Sequence, residues 1–109
     1  MNCQHQQLAG GRWFELSFFE QMAHTGSEVA RAISWRTKNK EYSVKAIERA
    51  LELSDLTIGD KKNRSRLKEL TRLREALVDY FYFNNQFASS DQLWQNYFYP
   101  FNYASRIGR

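Results

Sequence analysis

Glu20, His24 and Glu28 recur at intervals of four and share one face of any helix that carries them. Two carboxylates and an imidazole so placed could hold a divalent cation if a second helix added a ligand. Helical di-metal proteins use Glu-x-x-His on paired helices, and this chain has no such pair. The same three residues suit the wetted edge of a helix, so the sequence predicts neither a metal nor a cofactor. Nucleophilic catalysis needs a Cys or Ser held beside a base. Cys3 is the lone cysteine, His5 is the one other histidine, and both lie in a polar head without partners of that type. There is no Gly-rich phosphate loop, no zinc-spaced Cys or His pair, and no Arg at the spacing from a His that helical ribonucleases use. An enzyme is not expected.

Two other features carry binding chemistry. The first is the basic run KKNRSRLKELTRLR, in which Lys61, Lys62, Arg64, Arg66, Lys68, Arg72 and Arg74 face one acid, Glu69. On a continuous helix Lys61, Arg64, Lys68 and Arg72 form one stripe, and several of them fall in a first turn that the helix dipole makes unfavourable for cations. A local rule broken without visible compensation marks a candidate site. Lys61, Lys62, Arg64, Lys68 and Arg72 are therefore candidate ligands for an anion or a nucleic acid. A solvated face whose cations pair with Glu52 and Asp55 fits the same residues. No known nucleic-acid motif accompanies the run.

The second feature is aromatic. Tyr80-Phe81-Tyr82-Phe83 points around a whole helix, and Trp94, Tyr97, Phe98, Tyr99, Phe101 and Tyr103 follow within two dozen residues. A helix in a small monomer buries about half of its surface at most. Part of this set must then be exposed or covered by another chain. Tyr80, Tyr82, Phe83, Trp94, Tyr97 and Tyr99 are the candidate interface, since aromatic residues are enriched where proteins meet. Base stacking is a further use of such rings, but no Lys or Arg is interleaved with them in the sequence.

The elements that must position these residues are helices. Ser17-Phe18-Phe19-Glu20 is a capping box that opens a first helix. Its expected face is Phe19, Met22, Ala23, Gly26, Val29, Ala30 and Ile33. Ala23, Gly26 and Ala30 are small enough for a neighbouring helix to cross closely, which would justify a glycine that costs about 1 kcal/mol against alanine. Asn39 caps a second helix with apolar Ala46, Ile47, Ala50, Leu51, Leu53, Leu56 and Ile58, which Gly59 is expected to end in a left-handed conformation. The third carries Leu67, Leu70, Leu73, Leu77 and Phe81. Ser89-Ser90-Asp91-Gln92 reads as a second capping box opening a fourth, with a kink or break expected near Tyr99 because Pro100 removes a helical hydrogen bond. The second and third helices, Ala46 to Phe83, read as the hairpin on which the rest packs.

The 109 residues fit one domain, divided into a flexible head at 1–12 and a helical domain at 13–109. Hydrophobic residues at 42% and aromatics at 16% can build a core. No apolar run approaches the roughly 20 residues of a membrane span, and MNCQHQQLAGG lacks the layout of a secretory leader. One cysteine implies no reliance on oxidising conditions, which suits the cytoplasm. A net charge of +4 is compatible with an anionic partner.

LSFFEQMAHTGSEVARAISW, RALELSDLTI, RLKELTRLREALVDYF and FNYASRI resemble a family of small bacterial and archaeal helical proteins with no assigned activity, over about Leu16 to Ile107. The resemblance implies a helical fold and transfers no functional residue. In architecture alone, the chain is similar to four-helix bundles associated with ribosomal intervening sequences and retroelement accessory proteins. The expectation is an all-α, compact, antiparallel four-helix bundle that acts as a non-enzymatic interaction module. It would self-associate or bind a protein through its aromatic faces, or else bind nucleic acid or ribosomes through residues 61–74.

Overall fold

The computed structural model describes residues 11–107. In order these form α1 (Trp13–Glu15), α2 (Phe18–Trp35), α3 (Lys40–Ile58), a 3-10 helix η1 (Lys61–Arg66), α4 (Leu67–Tyr82) and α5 (Asp91–Ile107). No strand occurs among the described residues, and none of their helices is long and apolar enough to cross a membrane. The body measures 34 × 29 × 26 Å. The expected head falls mostly on residues 1–10, outside the described residues.

Local chemistry sets most boundaries. Ser17 Oγ accepts the Glu20 N–H at 3.1 Å while Glu20 Oε1 accepts the Ser17 N–H at 3.0 Å, so the first capping box forms. Asn39 Oδ1 caps α3 through the Tyr42 N–H. At α5 the capping residue is Ser90, whose Oγ accepts the Leu93 N–H, rather than Ser89. The helix begins at Asp91, so Ser90 is the residue that flanks it, and the expected Ser89–Gln92 box has no place. Gly59 is not left-handed: its φ is −75° and its N–H bonds back to Asp55. The chain leaves α3 through extended Asp60 straight into η1, so no left-handed residue is needed. Pro100 lies inside α5, which runs unbroken to Ile107.

The organising element is α2, not the α3–α4 hairpin. It packs on α3 along one side and on α5 along the other, while α4 packs on α3. Contact on two sides widens the buried part of α2 beyond the expected face. Met22, Val29 and Ala32 join Ala46, Ile47, Ala50, Leu70, Leu73, Leu77, Trp94 and Phe98 in the core, while Phe19 remains 46% exposed. At Gly26 an added Cβ would lie 2.7 Å from Cβ of Phe98. The close crossing predicted from α2 exists at Gly26, where α5 fills it, while Ala30, expected to share in it, is exposed.

A buried polar knot closes one end. Gln21 Nε2 donates to the Trp13 carbonyl at 3.0 Å and to Asp60 Oδ2 at 2.8 Å. Asn63 Nδ2 donates to Gln21 Oε1 and to the Thr57 carbonyl. Burial opposes ionisation of Asp60, but bonds from Lys62 and Gln21 outweigh it and hold the carboxyl below its usual range. The knot ties α1, α2, the end of α3 and η1 together. Nothing in the periodicity of Gln21, Asp60 or Asn63 announces it.

Candidate interaction groove

α4 and α5 approach one another along their backbones less closely than the other neighbouring long helices do. Between them lies an open groove of about 710 Å³. The end of η1 and α4 supply one wall, with Arg66, Lys68, Glu69, Arg72, Leu73 and Ala76. Leu93, Trp94 and Tyr97 of α5 form the other, and Phe87 and Ser89 of the connecting loop close one end. The spacing of 69, 72, 73 and 76 is one face of a helix, as is that of 93, 94 and 97. The loop is held by Asp79, whose buried carboxylate accepts the Gln86 and Phe87 N–H groups at 2.9 and 3.0 Å.

The basic run divides at this groove. Lys68 and Arg72 are exposed and line it. Lys61, Lys62 and Arg64 are exposed outside it. The expected single stripe fails because residues 61–66 wind as a 3-10 helix, at three residues per turn, before the 3.6-residue winding of α4 begins. This also removes part of the predicted dipole conflict, since Lys61, Lys62 and Arg64 fall outside α4, although Lys68 stays in its first turn beside Glu69 and Arg66 precedes it. Lys62 is engaged by Asp60 and donates to the Phe14 carbonyl. Arg74 forms two bonds to Asp55, as the solvated-face alternative expects. Arg66 stacks over Phe18 at 4.2 Å. Lys61, Arg64, Lys68 and Arg72 take part in no ion pair among the described residues.

The aromatic set divides as well. Trp94 is 3% exposed and stacked on Phe98, so it cannot belong to an open interface as the sequence suggests. Its indole N–H is buried without a partner. Tyr97 is half-buried and donates to Glu69 Oε1 at 3.2 Å across the groove. Burial and the Glu69 charge push its phenol well above the usual value. Tyr80 is half-buried and donates to Asp91 Oδ1 at 2.6 Å, where Arg36 also binds and lies over the Tyr80 and Phe81 rings. Tyr82, Phe83 and Tyr99 are exposed. Tyr82 feels the charge of Glu48 on α3, whereas Tyr99 borders a cleft with Gly26 and Val29 of α2. The six predicted interface residues therefore do not form one open face.

Glu20 and His24 border one small cavity with Ser27 and Asn102, whereas Glu28 turns away from it. Glu20 closes the capping box, and the His24 ring lies 5.7 Å from that of Trp13. Glu28, nearly buried, pairs with Arg31 and Arg49 at 3.0 and 3.1 Å. No group of three metal-binding side chains occurs among the described residues. The residues that sequence reasoning missed are Phe87, Leu93 and Ala76, which reach the groove through the loop and through the separation of two helices. No protein-family model, curated protein or solved structure matches the chain.

Proposed function

We propose that the protein is a non-enzymatic helical interaction module that binds a protein partner, or a second copy of itself, through its α4–α5 half. One observation carries this: a groove that joins Lys68 and Arg72, which form no ion pair among the described residues, to the apolar surface of Leu93 and exposed Phe87. Apolar surface left open between helices, with a charged rim, is the usual form of a protein docking site. Exposed Tyr82, Phe83 and Tyr99 offer further contact area for self-association. On this reading the long helices act as one antiparallel four-helix bundle bent at Pro100, working in the cytoplasm. The test is light scattering on nuclease-treated protein over a concentration series. An oligomer weakened by Tyr82→Ala or Tyr99→Ala, with unchanged circular dichroism, supports self-association. A monomer at high concentration ends that version and leaves the partner version.

A second reading has its own support. Lys61, Arg64, Lys68 and Arg72 form no ion pair among the described residues and fall within residues 61–72, a cluster of exposed cations that suits phosphate. It predicts salt-sensitive binding of RNA or DNA that Arg64→Glu, Lys68→Glu and Arg72→Glu together abolish. No binding at low ionic strength removes it.

A further inference from the structure

We infer that the α4–α5 groove receives an amphipathic helix from a different protein, with acidic residues along one flank. This rests on the interaction-module reading and names the partner's chemistry.

The shape argues for a helix. α2 is covered on two sides, but α4 and α5 approach less closely and meet mainly through side chains, Tyr97 to Glu69 and Tyr80 to Asp91. Exposed Leu93 on one wall and partly exposed Ala76 on the other present apolar surface, with buried Leu73 beneath. A helix offers apolar side chains at i, i+3, i+4 and i+7, and these suit a seam between two helices.

The charge argues for acidity and for a foreign chain. Arg66, Lys68 and Arg72 line the groove against one carboxylate, Glu69, which already accepts the Tyr97 hydroxyl. An acidic flank laid along α4 would meet Lys68 and Arg72, which form no ion pair among the described residues, while Arg66 is held over Phe18. A second copy would bring its own net charge of +4 toward that rim, so self-docking in this groove is opposed.

Single-stranded nucleic acid fits less well. Stacking needs open aromatic faces, yet Trp94 is covered by Phe98 and Tyr97 is flanked by Trp94, Phe98 and Phe101. Of the lining rings Phe87 alone is exposed. Lys61, Lys62 and Arg64 lie outside the groove, so its cations do not continue as a track along it.

The experiment is selection from a displayed library of helical peptides about four turns long. A leucine stripe is held constant, and the flanks vary among Asp/Glu, Ser/Gln and Lys/Arg. Enrichment of Asp and Glu on one flank is expected. The selected peptide should bind about tenfold or more weakly to a Lys68→Glu, Arg72→Glu variant and to Ala76→Trp, which fills the groove. It should bind Arg64→Glu, outside the groove, as it binds the parent. Circular dichroism confirms that each variant folds. No enrichment, enrichment of basic flanks, or binding indifferent to both groove variants overturns the inference. So does an oligothymidylate that displaces the peptide and itself loses binding in the Lys68, Arg72 variant, which would make the groove a nucleic-acid site. If selection fails while light scattering finds an oligomer, the acidic-helix inference alone falls. If no peptide or oligonucleotide binds and the protein is monomeric, the interaction reading falls with it.

Discussion

Replacing Gly26 by alanine tests the packing that holds α2 against α5. The added Cβ would lie 2.7 Å from Cβ and Cγ of Phe98 and 2.8 Å from its Cδ1. Carbon atoms in contact sit at about 3.5–4.0 Å, so α5 or the ring must retreat by roughly 1 Å. The ring has little freedom: it is 5% exposed, stacked on Trp94 and edge-on to Tyr97 at 5.1 Å. The clash includes Cβ, the atom tied to the backbone, so a rotamer change alone does not relieve it. Overpacking of this kind costs about 1–3 kcal/mol. Alanine recovers up to about 1 kcal/mol of helix propensity. The net loss should be up to about 2 kcal/mol, with each kcal/mol lowering Tm by about 4–8 °C in a chain near this size. Urea titration followed by circular dichroism measures it. A double-mutant cycle with Phe98→Ala locates the cause, because that change removes two of the three clashing atoms. Phe98→Ala alone should cost about 3–5 kcal/mol. In its background the Cβ contact remains but the emptied ring site lets α5 shift, so Gly26→Ala should cost less than in the parent, a coupling of roughly 0.5–1 kcal/mol. Stabilisation of the otherwise unaltered protein by Gly26→Ala, or a cycle without coupling, would refute the close crossing.

Other perturbations separate local from tertiary causes. Gly59→Ala should be neutral or stabilise by up to about 1 kcal/mol in the same titration, since its φ is −75° and an added Cβ meets nothing nearer than 3.5 Å. A loss of stability there would restore the left-handed ending that the sequence suggests. Asp60→Asn should cost about 1–3 kcal/mol, because an amide nitrogen would face the Gln21 Nε2 donor. The folded Asp60 carboxyl titrates below its ordinary value of 3.8, so its contribution is complete above that pH. It is lost as pH falls from there through the folded value. Acid denaturation of the Asn variant should therefore show a shallower stability loss below about pH 4. An identical acid limb in both proteins would remove Asp60 from the account.

Helix existence was legible because it depends on neighbours in sequence. Ser17 with Glu20 and Asn39 with Tyr42 lie within one turn, so their caps form from local chemistry. The leucine spacing at 70, 73 and 77 likewise identifies the buried face of α4. Ser89 and Gly59 misled for a reason that is also local: each fits a rule, but the boundary is set by where the next element begins. Of the candidate site, Lys68, Arg72 and Tyr97 were legible as types. Their convergence was not, because Tyr97 lies 28 residues from Glu69, which accepts its hydroxyl. Interleaving of cations with aromatic rings is absent from the linear order and appears only across two helices.

By itself, then, the sequence determined that the chain is helical, where its long helices fall, and that one of them must be approached closely at Gly26. Periodicity and capping are properties of consecutive residues, and consecutive residues are what a sequence displays. Only the tertiary structure decided that α2 is the centre, that Trp94 is core rather than interface, and that Gln21, Asp60 and Asn63 form one buried knot. It also decided that a basic wall and an apolar wall face one another across an open seam. These outcomes depend on which helix faces lie close together, and that is settled by the summed packing of the whole core rather than by any single stretch.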